Sequence, residues 1–279
     1  MLQEQVPCVE GELSLREVQL ASLAILKRID AICRAEGIRY WVMYGTLIGA
    51  IRHHGFIPWD DDLDIAMPRP DYERFLAYFA EHSDELRPLV ALRGDGSPTL
   101  PFLITRVSDT TYRMVGEYGD EVPDLGAFVD VYPMDGAGDT LEGARKHKVE
   151  CMKASHKYLQ AGDFSYNNRE NGALKRTFKK IHSTMLGDAS KWANRVVEMS
   201  KKLSFDESTF VACLEWDWAL EEIYPSKLFS KVDDVTFEDM KVSVPVGYDE
   251  ILTADYGDYM QLPPEPERVG HHFYAIVRR

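Results

Sequence analysis

The chain has 279 residues and a formal net charge of −14 at neutral pH. That length fits one large domain or two small ones, and the acidic balance argues against non-specific binding to nucleic acid or to an anionic membrane surface. No stretch approaches the roughly 18 apolar residues of a membrane-spanning helix. The N-terminal MLQEQVPCVEGE has neither the basic region nor the apolar run of a signal peptide. Cys8, Cys33, Cys151 and Cys213 form no C-x-x-C pair, which speaks against a zinc finger or redox motif and for free thiols in the cytoplasm.

Ser14-Leu-Arg-Glu17 reads as a capping box. Val18, Ala21, Ile25, Leu26, Ile29 and Ile32 follow at helical spacing, so an amphipathic helix is expected up to Gly37. Ile38 to Tyr44 then reads as a short buried strand, Leu47 to His54 as a helix, and Pro68-Arg-Pro70 as a turn before a helix from Asp71 to His82. The segments PLVAL, PFLITRV and TTYRMV between 88 and 115 read as strands or hairpin arms, and Ala127 to Tyr132 as another strand. From Thr140 to about Tyr224 the pattern is mostly helical, with helices expected at 140–160, 172–186, 188–203 and 209–223. Met240 to Val244 reads as a strand and Tyr248 to Tyr256 as a short helix. The proline spacing of LPPEPERVGHHF forbids a helix there.

The densest chemistry lies in YWVMYGTLIGAIRHHGFIPWDDDLDIAM, residues 40–67. Asp60, Asp61, Asp62 and Asp64 repel one another, yet they run directly into apolar Leu63, Ile65, Ala66 and Met67. A divalent metal is the obvious way to neutralise such a cluster. On a strand, residues two apart share a face, so Asp62 and Asp64 project together, joined by Asp60 if the extended conformation starts early. The Gly45-Thr46 turn can offer backbone N–H groups to phosphate, and Arg52 on the following helix can reach one. Asp130 lies between two valines inside a strand, and burial there is costly unless the carboxylate is paired or metal-bound. Together these residues suit metal-assisted phosphoryl or nucleotidyl transfer.

GTLIGAIRHHGFIPWDDDLDIAM resembles the signature of the LicD family, which is related to the fukutin-type enzymes and belongs to the nucleotidyltransferase-fold superfamily. FEDMKVSVPVGYDEILTADYGDYMQLPPEPERVGHH near the C-terminus is similar to it as well, and the matching segments cover about half the chain. The resemblance implies an α/β (α+β) nucleotidyltransferase-type fold, with a small mixed sheet flanked by helices. It is read as one domain over 1–279, with its core at 14–136 and 229–279 and a helical insertion at 140–228. It implies a Gly-Thr turn before a strand bearing D-x-D, with a third carboxylate at Asp130. Asp62, Asp64 and Asp130 are then the catalytic residues, and Asp60, Asp62, Asp64 and Asp130 the ligands of Mg²⁺ or Mn²⁺. Gly45, Thr46, Arg52 and Arg106 are the candidate contacts to the phosphates of the donor.

By the same resemblance the reaction is transfer of phosphocholine from CDP-choline to a sugar hydroxyl of a cell-surface glycan, teichoic acid or lipopolysaccharide, releasing CMP. The enzyme would work in the cytoplasm, including the inner face of the membrane. A polyol phosphate from CDP-ribitol or CDP-glycerol is the rival donor, and a non-catalytic nucleotide- or metal-binding scaffold the rival from another class. Choline can be recognised only by aromatic faces and carboxylates. Trp216, Trp218, Tyr158 and Tyr166 are the candidates for its pocket, and Lys175, Arg176, Lys179 and Lys180 for attracting substrate phosphates.

Overall fold

The computed structural model describes residues 9–94, 102–116, 121–162, 182–215, 219–270 and 274–279. The elements run α1 (Leu15–Glu36), β1 (Trp41–Val42), α2 (Tyr44–Ile48) with a π-helical turn at Gly49–His53, β2 (Asp64–Pro68), α3 (Arg69–Glu81), α4 (Ser83–Leu86) and β3 (Leu89–Arg93). They continue with β4 (Thr105–Asp109), β5 (Tyr112–Gly116), β6 (Ala127–Gly138), α5 (Leu141–Ala161), α6 (Ala189–Ser200), β7 (Phe210–Ala212), β8 (Tyr224–Pro225), β9 (Val232–Phe237), β10 (Met240–Pro245), α7 (Tyr248–Tyr256) and β11 (Tyr274–Arg278). This is an α+β fold in which helices flank a mixed sheet. The chain packs as two compact units: residues 1–92, 106–131 and 228–279 form the first, and 93–105 and 132–227 the second.

In the first unit the sheet runs β1-β2-β6-β4-β3. The capping box at Ser14 forms, with both reciprocal bonds present, and Gly37 closes α1 in the left-handed region at φ 60°. The apolar stripe of α1 is buried from Val18 to Cys33. Its polar side is tied by Arg16–Glu238 (2.6 Å), Lys27–Asp239 (2.7 Å) and Arg34–Asp234 (3.0 Å) to the hairpin of β9 and β10. These pairs are solvent-exposed and each contributes little; what they fix is orientation.

Three local expectations fail in this unit for identifiable reasons. The strand expected over Ile38–Tyr44 shrinks to Trp41–Val42, because Tyr44 adopts φ 51° and starts a helix. The helix expected at Leu47–His54 becomes α2 plus a π turn ending at His54, which is left-handed at φ 56°. Helix α3 starts at Arg69 instead of after Pro70, since a proline is tolerated in the first turn of a helix. Two strands of this unit were not among those expected. One is β9, whose VDDVTF carries charge, and the other is β11, which pairs antiparallel with β5 from Tyr274↔Gly116 to Arg278↔Tyr112.

The second unit is built on α5 and α6. Ala154, Tyr158, Ala161, Ala189, Ala193 and Val196 form one apolar cluster, and Ala137, Ala144, Cys151, Ala212, Leu214 and Ile223 a second. The helix expected at 209–223 is absent among the described residues of that stretch. Phe210–Ala212 is instead a strand paired with the distal half of β6 (Asp135↔Ala212) and with β8. Its β-branched, aromatic FVA triplet competes well for an open strand edge. Lys148 is fully buried and donates to the Glu222 carbonyl at 3.0 Å, and Arg93 pairs with buried Glu215 at 2.8 Å. Cys33, Cys151 and Cys213 are buried thiols outside any disulfide. No helix among the described residues is long and apolar enough to cross a membrane.

Candidate active site

The site lies in the first unit, where the loop after the π turn enters β2. The loop is held at both ends. Buried Gln19 on α1 donates to the Asp60 carbonyl at 2.7 Å, and the Asp60 N–H closes a turn on Ile57 O at 3.0 Å. At the strand end, the Asp64 N–H donates to the Thr46 hydroxyl at 2.8 Å, and the Met43 N–H donates to Asp64 O at 3.0 Å. Gly45 lies directly under the loop: a Cβ there would stand 2.7 Å from Oδ2 of Asp60. The Gly-Thr pair thus shapes the acidic loop from below, Gly45 by leaving room and Thr46 by its hydroxyl.

Asp60, Asp61 and Asp62 are partly buried, and each offers a carboxylate oxygen within 4.8 Å of the other two. The ligand set expected from strand alternation and the family resemblance, Asp60, Asp62, Asp64 and Asp130, did not include Asp61. Strand β2 begins only at Asp64, so a period of two does not apply to residues 60–63 and consecutive side chains can converge. Asp64 itself is buried. The set is all hard oxygen, which suits Mg²⁺, Mn²⁺ or Ca²⁺ and not a thiophilic ion. Like charges this close cost about 1 kcal/mol per pair in water and about 4 near a protein surface.

Asp130 reaches the same neighbourhood on β6, where its N–H donates to Leu63 O at 2.9 Å. Its carboxylate is buried and paired with Arg106 on β4, Nε to Oδ1 at 2.8 Å and Nη2 to Oδ2 at 3.3 Å. Two of its roughly four lone-pair positions are thereby used, and the others can meet a cation or a proton. Arg106 also lies over the Phe128 ring, 4.3 Å from its centroid. Tyr274, which the sequence reading passed over, stands 5.8 Å from Phe128, ring to ring. Burial, then the charges of Asp61 and Asp62, push its hydroxyl well above the usual phenol range, with Arg106 opposing. The short apolar run YAIV was the one available sign of this strand.

Arg52 reaches a different group. Its Nη1 donates to the carbonyls of Tyr259 (2.5 Å) and Gln261 (3.3 Å) and its Nε to His53 Nε2 (3.0 Å). It clasps the segment after α7. That segment returns to the loop: Arg268 lies 5.8 Å over the Trp59 ring, which also takes His53 edge-on at 6.4 Å. Arg113 pairs with Glu121. Of the expected choline-pocket residues, Tyr158 is buried in the core of the second unit. Trp216, Trp218 and Tyr166 lie outside the described residues, as do Lys175, Arg176, Lys179 and Lys180.

Residues 37–95 match the LicD/FKTN/FKRP nucleotidyltransferase domain, a span that contains the Gly-Thr turn and all four loop aspartates. The lipopolysaccharide cholinephosphotransferase LicD of Haemophilus influenzae is 29% identical over 270 residues, covering 94% of this chain and 97% of that protein. The likeness is to the LicD family. It runs nearly end to end, well beyond the half of the chain in which LicD motifs are legible by eye. Human ribitol 5-phosphate transferase FKRP is 47% identical over 39 residues, 14% of this chain and 8% of its own length. A Rickettsia typhi protein is 41% identical over 56 residues, 20% of this chain and 18% of its own.

Proposed function

We propose that this protein is a LicD-like phosphotransferase that moves phosphocholine from CDP-choline to a sugar hydroxyl of a cell-surface glycan, with release of CMP. The observation that carries the reading is the end-to-end similarity to a lipopolysaccharide cholinephosphotransferase, and the site chemistry is consistent with it. Asp64 and Asp130 stand beside the loop of Asp60, Asp61 and Asp62, so the site is rich in carboxylate. A diphosphate would be repelled from such a surface unless cations accompanied it. Asp60, Asp61 and Asp62 are the residues that would hold Mg²⁺ or Mn²⁺, with Asp64 and Asp130 as further candidates. Bound there, such a cation would supply charge neutralisation for the diphosphate and for the departing CMP.

The chain's own residues set the geometry. Gln19, Gly45 and Thr46 fix the loop, so the carboxylates are arranged before substrate arrives. Arg106 holds Asp130 with free lone pairs for the cation or for the proton of the acceptor hydroxyl. The short match to a ribitol 5-phosphate transferase supports a polyol-phosphate donor as the second reading.

The test is release of CMP from CDP-choline, CDP-ribitol and CDP-glycerol in the presence of simple sugars, with Mg²⁺ or with excess EDTA. Turnover of CDP-choline that stops in EDTA is expected. Turnover confined to CDP-ribitol or CDP-glycerol would leave the second reading standing, and turnover that survives EDTA would remove the metal.

A further inference from the structure

Tyr274 opens β11, where its pairing with Gly116 fixes the backbone. Its ring centroid lies 5.8 Å from that of Phe128. Phe128 carries the Arg106 guanidinium 4.3 Å from its own centroid, and Arg106 grips Asp130 at 2.8 and 3.3 Å. These four side chains make one continuous stack, from the C-terminal strand to the buried carboxylate beside Leu63. A guanidinium over a ring face is held in direction as well as in distance, the more so when desolvated, and both Arg106 and Phe128 are buried. An aromatic pair likewise prefers definite ring geometries over a loose apolar contact. Whatever fixes the Phe128 ring therefore fixes the guanidinium that it carries.

We propose that Tyr274 is a positioning residue of the transfer site, holding Phe128 and, through it, the Arg106–Asp130 pair in register with the Asp60–Asp62 loop. The inference rests on the reading of that loop and Asp130 as one site. The ring does the positioning, so removing the hydroxyl alone changes little and removing the ring changes much. A misplacement of about an ångström at a transfer site costs on the order of 100-fold in rate.

The test compares Tyr274→Leu, Tyr274→Phe and Phe128→Leu in the full chain. Tyr274→Leu is expected to lower kcat about 10- to 100-fold with the donor KM within about threefold, and Tyr274→Phe to restore kcat to within about threefold of wild type. Tyr274→Leu combined with Phe128→Leu should lose no more than the worse single variant, because both break one stack. Independently of turnover, amide exchange in the ligand-free Tyr274→Leu protein should speed about tenfold in residues 59–64 and 127–131 and stay unchanged in 141–161. Losses that multiply in the double variant, a Tyr274→Phe protein as impaired as Tyr274→Leu, or unaltered exchange at 127–131 would each overturn the proposal. A wild-type protein that turns over no CDP-linked donor would defeat the functional reading, and the exchange measurement would still decide the stack.

Discussion

Two groups of carboxylates meet at the head of β2, and they treat negative charge in opposite ways. Asp60, Asp61 and Asp62 crowd three oxygens within 4.8 Å on a partly exposed loop. Asp130 sits in a buried strand and is covered by a guanidinium at 2.8 Å. The first arrangement concentrates charge that a mobile cation can neutralise. The second is an ion pair on which the sheet depends, since removing one partner leaves the other charged and buried. Residues that would serve one reaction thus stand in different relations to the fold.

The largest contrast is expected on removing each carboxylate in turn. Asp130→Ala should abolish turnover and also cost about 3–5 kcal/mol of stability, by stranding Arg106. Joint replacement of Arg106 and Asp130 by leucine should recover much of that stability and none of the activity. Thermal melts alongside CMP release separate the two effects.

Asp62→Asn should lower turnover by about 100-fold or more while leaving the ligand-free melt unchanged or slightly raised, because it relieves repulsion. A fall in that melt as large as for Asp130→Ala would erase the distinction. Saturating Mg²⁺ with a cytidine nucleotide should raise the wild-type stability by about 2.7 kcal/mol at a hundredfold excess over Kd, and Asp62→Asn should lose most of the shift.

Gly45→Ala sharpens the comparison from below the loop. Its Cβ would meet Asp60 Oδ2 at 2.7 Å and push that carboxylate out of the cluster. Cation affinity, followed by Mn²⁺ titration, should fall about 10- to 100-fold with Asp130 untouched.

The second unit offers a further contrast, where a buried thiol lies among carboxylates. Burial, then the charge of Asp135, pushes the Cys151 thiol up to about 12. The folded chain keeps this proton at a pH where the unfolded chain, with an ordinary thiol near 8.5, has lost it. That contribution is complete below about pH 8.5 and fades as pH rises toward 12. Cys151→Ala should flatten the alkaline decline in stability by about 1 kcal/mol per pH unit across that window.

Much of this was legible in the sequence because local chemistry is strong at the relevant places. The Ser14 capping box, the α1 stripe and the run from Gly45 to Met67 each announce themselves within a few residues. What stayed hidden depends on distant partners. Nothing in AFVDVYPMD identifies Arg106 as the group that covers Asp130, and nothing in the RHH run ties Arg52 to carbonyls more than two hundred residues away. Alternation gave no reason to count Asp61 with Asp60 and Asp62, because it presumes a strand that begins only at Asp64. The FVA strand at Phe210 was read as helix because its pairing partner lies in β6 and not beside it.

The order in which the first unit is assembled follows from β11. That unit draws on residues 1–92, 106–131 and 228–279, and β5 pairs antiparallel along its length with Tyr274–Arg278. During synthesis the loop of aspartates and the Arg106–Asp130 pair emerge long before the strand that backs them. Until that strand arrives, β5 presents a bare edge of the kind that recruits other chains. Charge along the growing polypeptide is therefore useful early: a strongly acidic nascent chain repels its neighbours while its last strand is still being made.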